Sequence, residues 1–143
     1  MLICMQTVRL LFFVSVLLFC TGCSKEETPR LDYKKHIEEH LSILEKDPDN
    51  CLAIDQVGAS YQMLYDERNA IKYYEILIDR CPGGYWEIEG HWKIGLSYIV
   101  MGQSERGLEL LDKAIEMARR SENKELYDGY LLEKEILMEK YLK

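Results

Sequence analysis

The sequence predicts an all-α fold assembled from short antiparallel helix pairs. Three observations carry that expectation. A pattern of small, apolar and aromatic residues recurs twice between positions 51 and 121. Ahead of it, Ile37, Leu41 and Leu44 fall at i, i+4 and i+7, the spacing that lines one face of a helix. Behind it, no turn interrupts 125–142, where Leu126, Tyr130, Leu137 and Tyr141 supply the apolar side of one terminal helix.

Taken in order, the first helix is predicted over 31–46 and is closed by Pro48-Asp49-Asn50. The next unit places Ile54, Val57, Gly58 and Tyr61 on one helix and Ala70 and Tyr74 on a second. Gly58 and Ala70 are small where two helices approach closely, and Tyr61 and Tyr74 fill the space around them. Pro82 ends the unit, because it neither donates a backbone hydrogen bond nor continues a helix. A second unit repeats the order, with His91, Ile94, Gly95 and Tyr98 on its first helix and Gly102 at the turn. Gly107, Leu111 and Ala114 take its second helix. Gly95 lies 37 positions after Gly58, which places extra residues in a linker running from Pro82 to Glu87.

These residues follow the order W-x2-L-G-x2-Y…A-x3-F…P over a period of about 34 residues, and the chain resembles the tetratricopeptide-repeat family. The resemblance covers residues 51–121. In the second copy Gly107 stands where alanine is usual and Arg119 where proline is usual; glycine inside a helix costs about 1 kcal/mol against alanine. The resemblance implies a short solenoid of antiparallel helix pairs, with about two full repeats (51–84 and 88–121). An N-terminal half-repeat helix (31–50) precedes them and a C-terminal capping helix (122–143) follows. Gly129 hints at a third copy, but Glu125 and Asp128 occupy places that should be apolar. Terminal units of such arrays differ because one face meets water.

The family lines its binding groove with the first helix of each repeat. Those places carry Leu52, Asp55, Ala59, Gln62 and Met63, then Glu89, Trp92, Leu96, Ile99 and Val100. Trp92, Leu96, Ile99 and Val100 are expected to form an apolar strip for a partner helix or extended peptide. The alternative is that the terminal helix packs into the groove and makes them core. The family's clamps for peptide carboxylates use Lys, Arg and Asn here, and this chain has none of them at these places. Tyr85 and Trp86, in the linker, either anchor a partner or pin the linker down. Cys51 opens the first helix of its repeat and Cys81 closes the second, so antiparallel pairing brings them together. Two readings remain open there: a disulfide across the mouth of the hairpin, or two reduced thiols serving as small apolar side chains.

Residues 1–22 are expected to be a signal peptide and 23–30 a lipidated tether, leaving 31–143 as the domain. Leu10–Phe19 is an apolar run too short to span a bilayer, and it follows a lone Arg9. Met5 is an alternative start. Thr21-Gly22-Cys23 resembles a bacterial lipobox, which implies lipidation of Cys23; a plain secretory signal is the alternative. Ser24 resembles the second residue of lipoproteins sent to the outer membrane. Lys25 followed by Glu26 and Glu27 resembles a surface-export signal. The expected location is therefore the cell envelope, lipid-anchored, at the outer membrane facing the periplasm or the surface.

The chain carries 25 acidic against 18 basic residues, a net charge of −7, which argues against nucleic acid and against a polybasic membrane contact. His36-Ile37-Glu38-Glu39-His40 fits H-x-x-E-H, a zinc-hydrolase pattern. No third ligand is recognisable, and two histidines on a solvated helix face are the better expectation. No phosphate loop or nucleophile motif is present, so no enzymatic activity, metal or other cofactor is expected. The predicted function is an envelope adaptor presenting a helical surface to another envelope protein. The alternatives are a structural subunit buried in a permanent complex and, remotely, a metal-binding protein or zinc hydrolase at His36 and His40. Oligomeric state and partner identity are not encoded in any feature of the sequence.

Overall fold

The structure, a computed structural model, describes residues 32–141, excluding the side chain of Tyr141. The signal-peptide and tether readings, Cys23 among them, lie outside the described residues. Six α-helices occupy the described chain: α1 (Tyr33–Leu44), α2 (Cys51–Met63), α3 (Glu67–Arg80), α4 (Tyr85–Val100), α5 (Ser104–Arg120) and α6 (Lys124–Tyr141). Side-chain oxygens fix where the first three begin. Asp32 accepts from the amides of Lys34 and Lys35, Asn50 from Ala53, and Asp66 from Asn69. Each satisfies N–H groups that the first helical turn leaves without a partner.

Helix α4 starts earlier than the repeat pattern places it. Tyr85, Trp86 and Glu87 are its first turn rather than linker, and the connection shrinks to the residues around Gly83 and Gly84, both at positive φ. Glu87 secures this start by accepting from the Gly83 amide at 2.7 Å.

Each helix packs mainly on its neighbours in sequence, and α2 also touches α4. Two buried clusters result. Ile54, Ala70, Tyr74, Leu77, Ile94 and Tyr98 join α2, α3 and α4. Ile88, Trp92, Leu111, Ala114, Ala118 and Tyr130 join α4, α5 and α6.

Glycines set how closely the pairs close. A Cβ on Gly58 would lie 2.7 Å from the Tyr74 ring. Between α4 and α5 the contact is reciprocal. A Cβ on Gly95 would lie 2.9 Å from the Gly107 carbonyl oxygen, and one on Gly107 would lie 2.7 Å from that of Gly95 and 2.5 Å from Ile99 Cγ1. Gly107 is therefore required where the repeat pattern favours alanine, since the two backbones meet there. Gly129, in contrast, faces open space, so the third-copy spacing corresponds to no close helix approach.

The turns α2–α3 and α4–α5 are built alike. The Asp66 amide bonds to the Tyr61 carbonyl and the Tyr65 amide to Gln62; Gln103 and Gly102 repeat this with Tyr98 and Ile99. This termination needs a left-handed residue, usually glycine. Gly102 supplies it at φ 79°, whereas the equivalent place holds Tyr65 at φ 60°.

Cys51 and Cys81 are joined, with an S–S distance of 2.10 Å and Cα atoms 6.0 Å apart. The same end carries an ion pair between Arg80 and Asp49 at 2.8 Å. Among the described residues no helix is long and apolar enough to cross a membrane. Closing a loop of 30 positions limits the unfolded chain, an effect of about 3–4 kcal/mol in the chain-entropy model. Replacing both cysteines with serine should therefore lower unfolding free energy by about that amount in denaturant titration, while helical content at zero denaturant stays unchanged.

Candidate partner-binding groove

The expected apolar strip does not survive as one surface. Trp92 is 2% exposed. Its indole stacks on the Tyr130 ring with centroids 4.2 Å apart and planes 7° from parallel, and the Tyr130 hydroxyl donates to the Glu89 carboxylate. The Tyr130 ring of α6 thus lies over Trp92 and makes it core, as the alternative reading of the strip expects, although Trp92 still contributes to the lining of the groove beside α6. Leu96 and Ile99 are half-buried against the same cluster. Val100 stays exposed, but at the end of α4.

Gln62 is also engaged. Its amide nitrogen donates to Ser97 Oγ at 2.9 Å and to the Lys93 carbonyl at 3.3 Å. Its amide oxygen accepts from the Tyr74 hydroxyl at 2.8 Å. This one side chain therefore couples α2, α3 and α4. Burial first, then the nearby Asp55 and Glu89 carboxylates, pushes the Tyr74 phenol above its ordinary value and keeps it a donor. Met63 and Leu52 are exposed but belong to opposite ends of α2.

What remains open is a groove of about 460 Å³ beside α6, lined by Tyr85, Glu89, Lys93, Leu96, Tyr130 and Glu133, with Gln62, Trp92 and Leu126 completing it. Tyr85 is half exposed and makes an edge contact with Trp86 at 5.1 Å between ring centroids. Trp86 itself packs against the first core cluster, so of this pair only Tyr85 faces outward. Glu89 is held by Lys93 at 3.3 Å as well as by Tyr130. Asp55 is nearly buried, and its Oδ1 has no hydrogen-bond partner. Burial raises the Asp55 carboxyl above its ordinary value, opposed by Lys93 and reinforced by Glu89. Glu133 was not singled out by sequence reasoning. Its signal was helical spacing, three positions after Tyr130 on the flank of α6 beside the groove.

The H-x-x-E-H histidines are not on a solvated face. His36 Nδ1 is 2.7 Å from Ser60 Oγ, and His40 Nδ1 is 2.9 Å from the His36 carbonyl oxygen. The two rings lie 4.2 Å apart at the α1–α2 seam. Glu39 points elsewhere and pairs with Lys35 at 3.6 Å. Among the described residues no group of three His, Cys, Asp or Glu side chains is placed to hold a metal ion.

No protein-family model and no curated protein matches the chain. The fold itself defines the class: an all-α protein of helices packed in sequence order, with a groove of aromatic, acidic and basic side chains against the last described helix.

Truncating the stacked indole leaves a cavity that α6 spans, and such Trp→Ala changes cost about 3–5 kcal/mol. Trp92→Ala should lower the unfolding free energy by about this much and expose α6 to faster amide exchange. A variant as stable as the parent would show that α6 does not hold the indole.

Proposed function

We propose that this chain is an adaptor of the tetratricopeptide-repeat type, anchored in the bacterial cell envelope through a lipid on Cys23. It presents the groove beside α6 to another envelope protein. The observation that carries this reading is the surface left open after α6 has covered Trp92: Tyr85, Leu96 and Glu133 frame a groove without closing it. An aromatic side chain flanked by polar groups at a half-open groove is the composition that protein contacts favour. The spacing of Gly58, Tyr61, Ala70, Tyr74 and Pro82, and of Gly95, Tyr98 and Ala114, supports the repeat assignment. The close approaches at Gly58 and Gly95 support it independently. The disulfide joining Cys51 and Cys81 suits an oxidising compartment, which supports the envelope location.

A second reading has an observation of its own. Leu132, Ile136 and Met138 on α6 are exposed, and exposed apolar residues grouped along one helix mark a contact surface. In that reading the chain is a structural subunit whose α6 lies inside a permanent complex. Sedimentation of the acyl-free protein separates the two, since a permanent self-assembly persists on dilution and a monomeric adaptor does not associate.

The adaptor reading is tested by a photo-crosslinking amino acid at Tyr85 or Glu133 in living cells. The expected outcome is one discrete envelope protein captured from both positions and none from position 43 on α1. Equal labelling from all three positions would contradict the groove as the partner surface.

A further inference from the structure

The end of the domain where α2 and α4 finish carries an exposed apolar cluster that neither the core nor the groove uses. Met63, Leu64 and Tyr65 leave α2, and Val100 and Met101 leave α4. Tyr65 is 87% exposed, Val100 65% and Met63 56%. Tyr65, Val100 and Met101 line one shallow depression, rimmed by Asp66, Glu67 and Arg68. Single exposed apolar residues are ordinary, but contiguous ones mark a contact surface. Tyr65 sharpens the point, because it holds the left-handed turn position that Gly102 fills in the neighbouring turn. A bulky side chain there is unfavourable for folding, and it stands almost free in solvent.

The place where the chain enters the domain indicates what covers this cluster. His36 in the first turns of α1 lies 2.7 Å from Ser60 near the end of α2, and Gln62 bonds to Ser97 near the end of α4. Asp32, the cap of α1, is therefore at the same end of the domain as Tyr65 and Val100. A lipid on Cys23 would thus be joined to the domain at this end, and not at the end bearing the disulfide.

We propose that the Met63–Tyr65 and Val100–Met101 cluster rests on the lipid surface to which the chain is tethered. The inference builds on the lipid-anchor reading and adds an orientation to it. Tyrosine suits the role, since its ring seats among headgroups while its hydroxyl stays wet. Met63, Leu64, Val100 and Met101 supply apolar area that dips below the headgroups. With this end down, α2 and α4 run toward the bilayer. The start of α4, where Tyr85 frames the groove, is held away from the lipid and open to a partner.

The test uses full-length protein made in a bacterium that processes lipoproteins, with Tyr65→Cys, Val100→Cys or Asp47→Cys carrying a fluorophore. Cys51 and Cys81 are bonded to each other, which leaves the introduced thiol to take the label. The proteins are reconstituted into phosphatidylethanolamine–phosphatidylglycerol vesicles containing nitroxide-labelled lipid. Quenching at positions 65 and 100 should exceed that at position 47 by at least about threefold, as contact with the headgroup–acyl boundary requires. Equal quenching at all three positions in protein whose N-terminal mass shows the acyl chains would overturn the orientation and leave the anchor intact. A mature N-terminus without acyl chains would remove the anchor, and the orientation with it. Unquenched labels at 65 and 100 that are shielded from aqueous iodide would assign the cluster to a protein contact instead.

Discussion

The arrangement depends on backbone-to-backbone contact between paired helices. Gly95 and Gly107 leave no room for even one carbon between α4 and α5, because each would push its Cβ into the carbonyl oxygen of the other. That proximity lets Leu111 and Ala114 of α5 reach the second cluster from the opposite side to Trp92. In the other pair the notch at Gly58 receives the Tyr74 ring instead of a backbone. Tyr74 then hands its hydroxyl to Gln62, which carries the contact on to α4. Close approach within pairs thus determines both clusters, and the hydrogen bonds of Gln62 couple the two pairs.

Much of this was legible in particular residues. The small residues Gly58, Gly95 and Ala70 marked the helix contacts, and Pro82 marked the end of a helix. The positions of Cys51 and Cys81, at the start of one helix and the close of its antiparallel partner, brought a disulfide across the open end of the hairpin into view. Other features depend on side-chain reach, which spacing does not encode. For Trp92 the spacing leaves two readings, an open strip or core beneath the terminal helix, and Tyr130, a ring 38 positions away that lies flat upon it, decides for the second. Tyr85 and Trp86 looked like linker because the repeat period ignores an extra helical turn stabilised locally by Glu87 and Gly83. His36 and His40 looked solvated because their helix is highly charged, yet Ser60 draws His36 into the α1–α2 seam.

Coverage of Trp92 by α6 also changes what the domain can offer a partner. Trp92 becomes core, and the surface left is shorter, carries Glu89, Lys93 and Glu133, and is framed by aromatic rings. Glu89 is already shared between Lys93 and Tyr130, so Glu133 and Tyr85 are the more available contacts. The disulfide and the Arg80–Asp49 pair brace the end of α2–α3 where the chain turns toward Tyr85. Rigidity there favours a preformed surface, which reduces the ordering cost of binding.

The most direct test of the account is the stability of Gly107→Ala. Alanine is better than glycine inside a helix by about 1 kcal/mol, so local propensity alone predicts a more stable protein. The added carbon would stand 2.5 Å from Ile99 Cγ1 and 2.7 Å from the Gly95 carbonyl oxygen. Overpacking of this kind costs about 1–3 kcal/mol, and the rigid backbone at the contact places this site toward the upper part of that range. Denaturant titration should show a net loss of about 1–2 kcal/mol once the propensity gain is included. An unchanged or raised unfolding free energy would contradict close backbone contact as the constraint on which the fold depends.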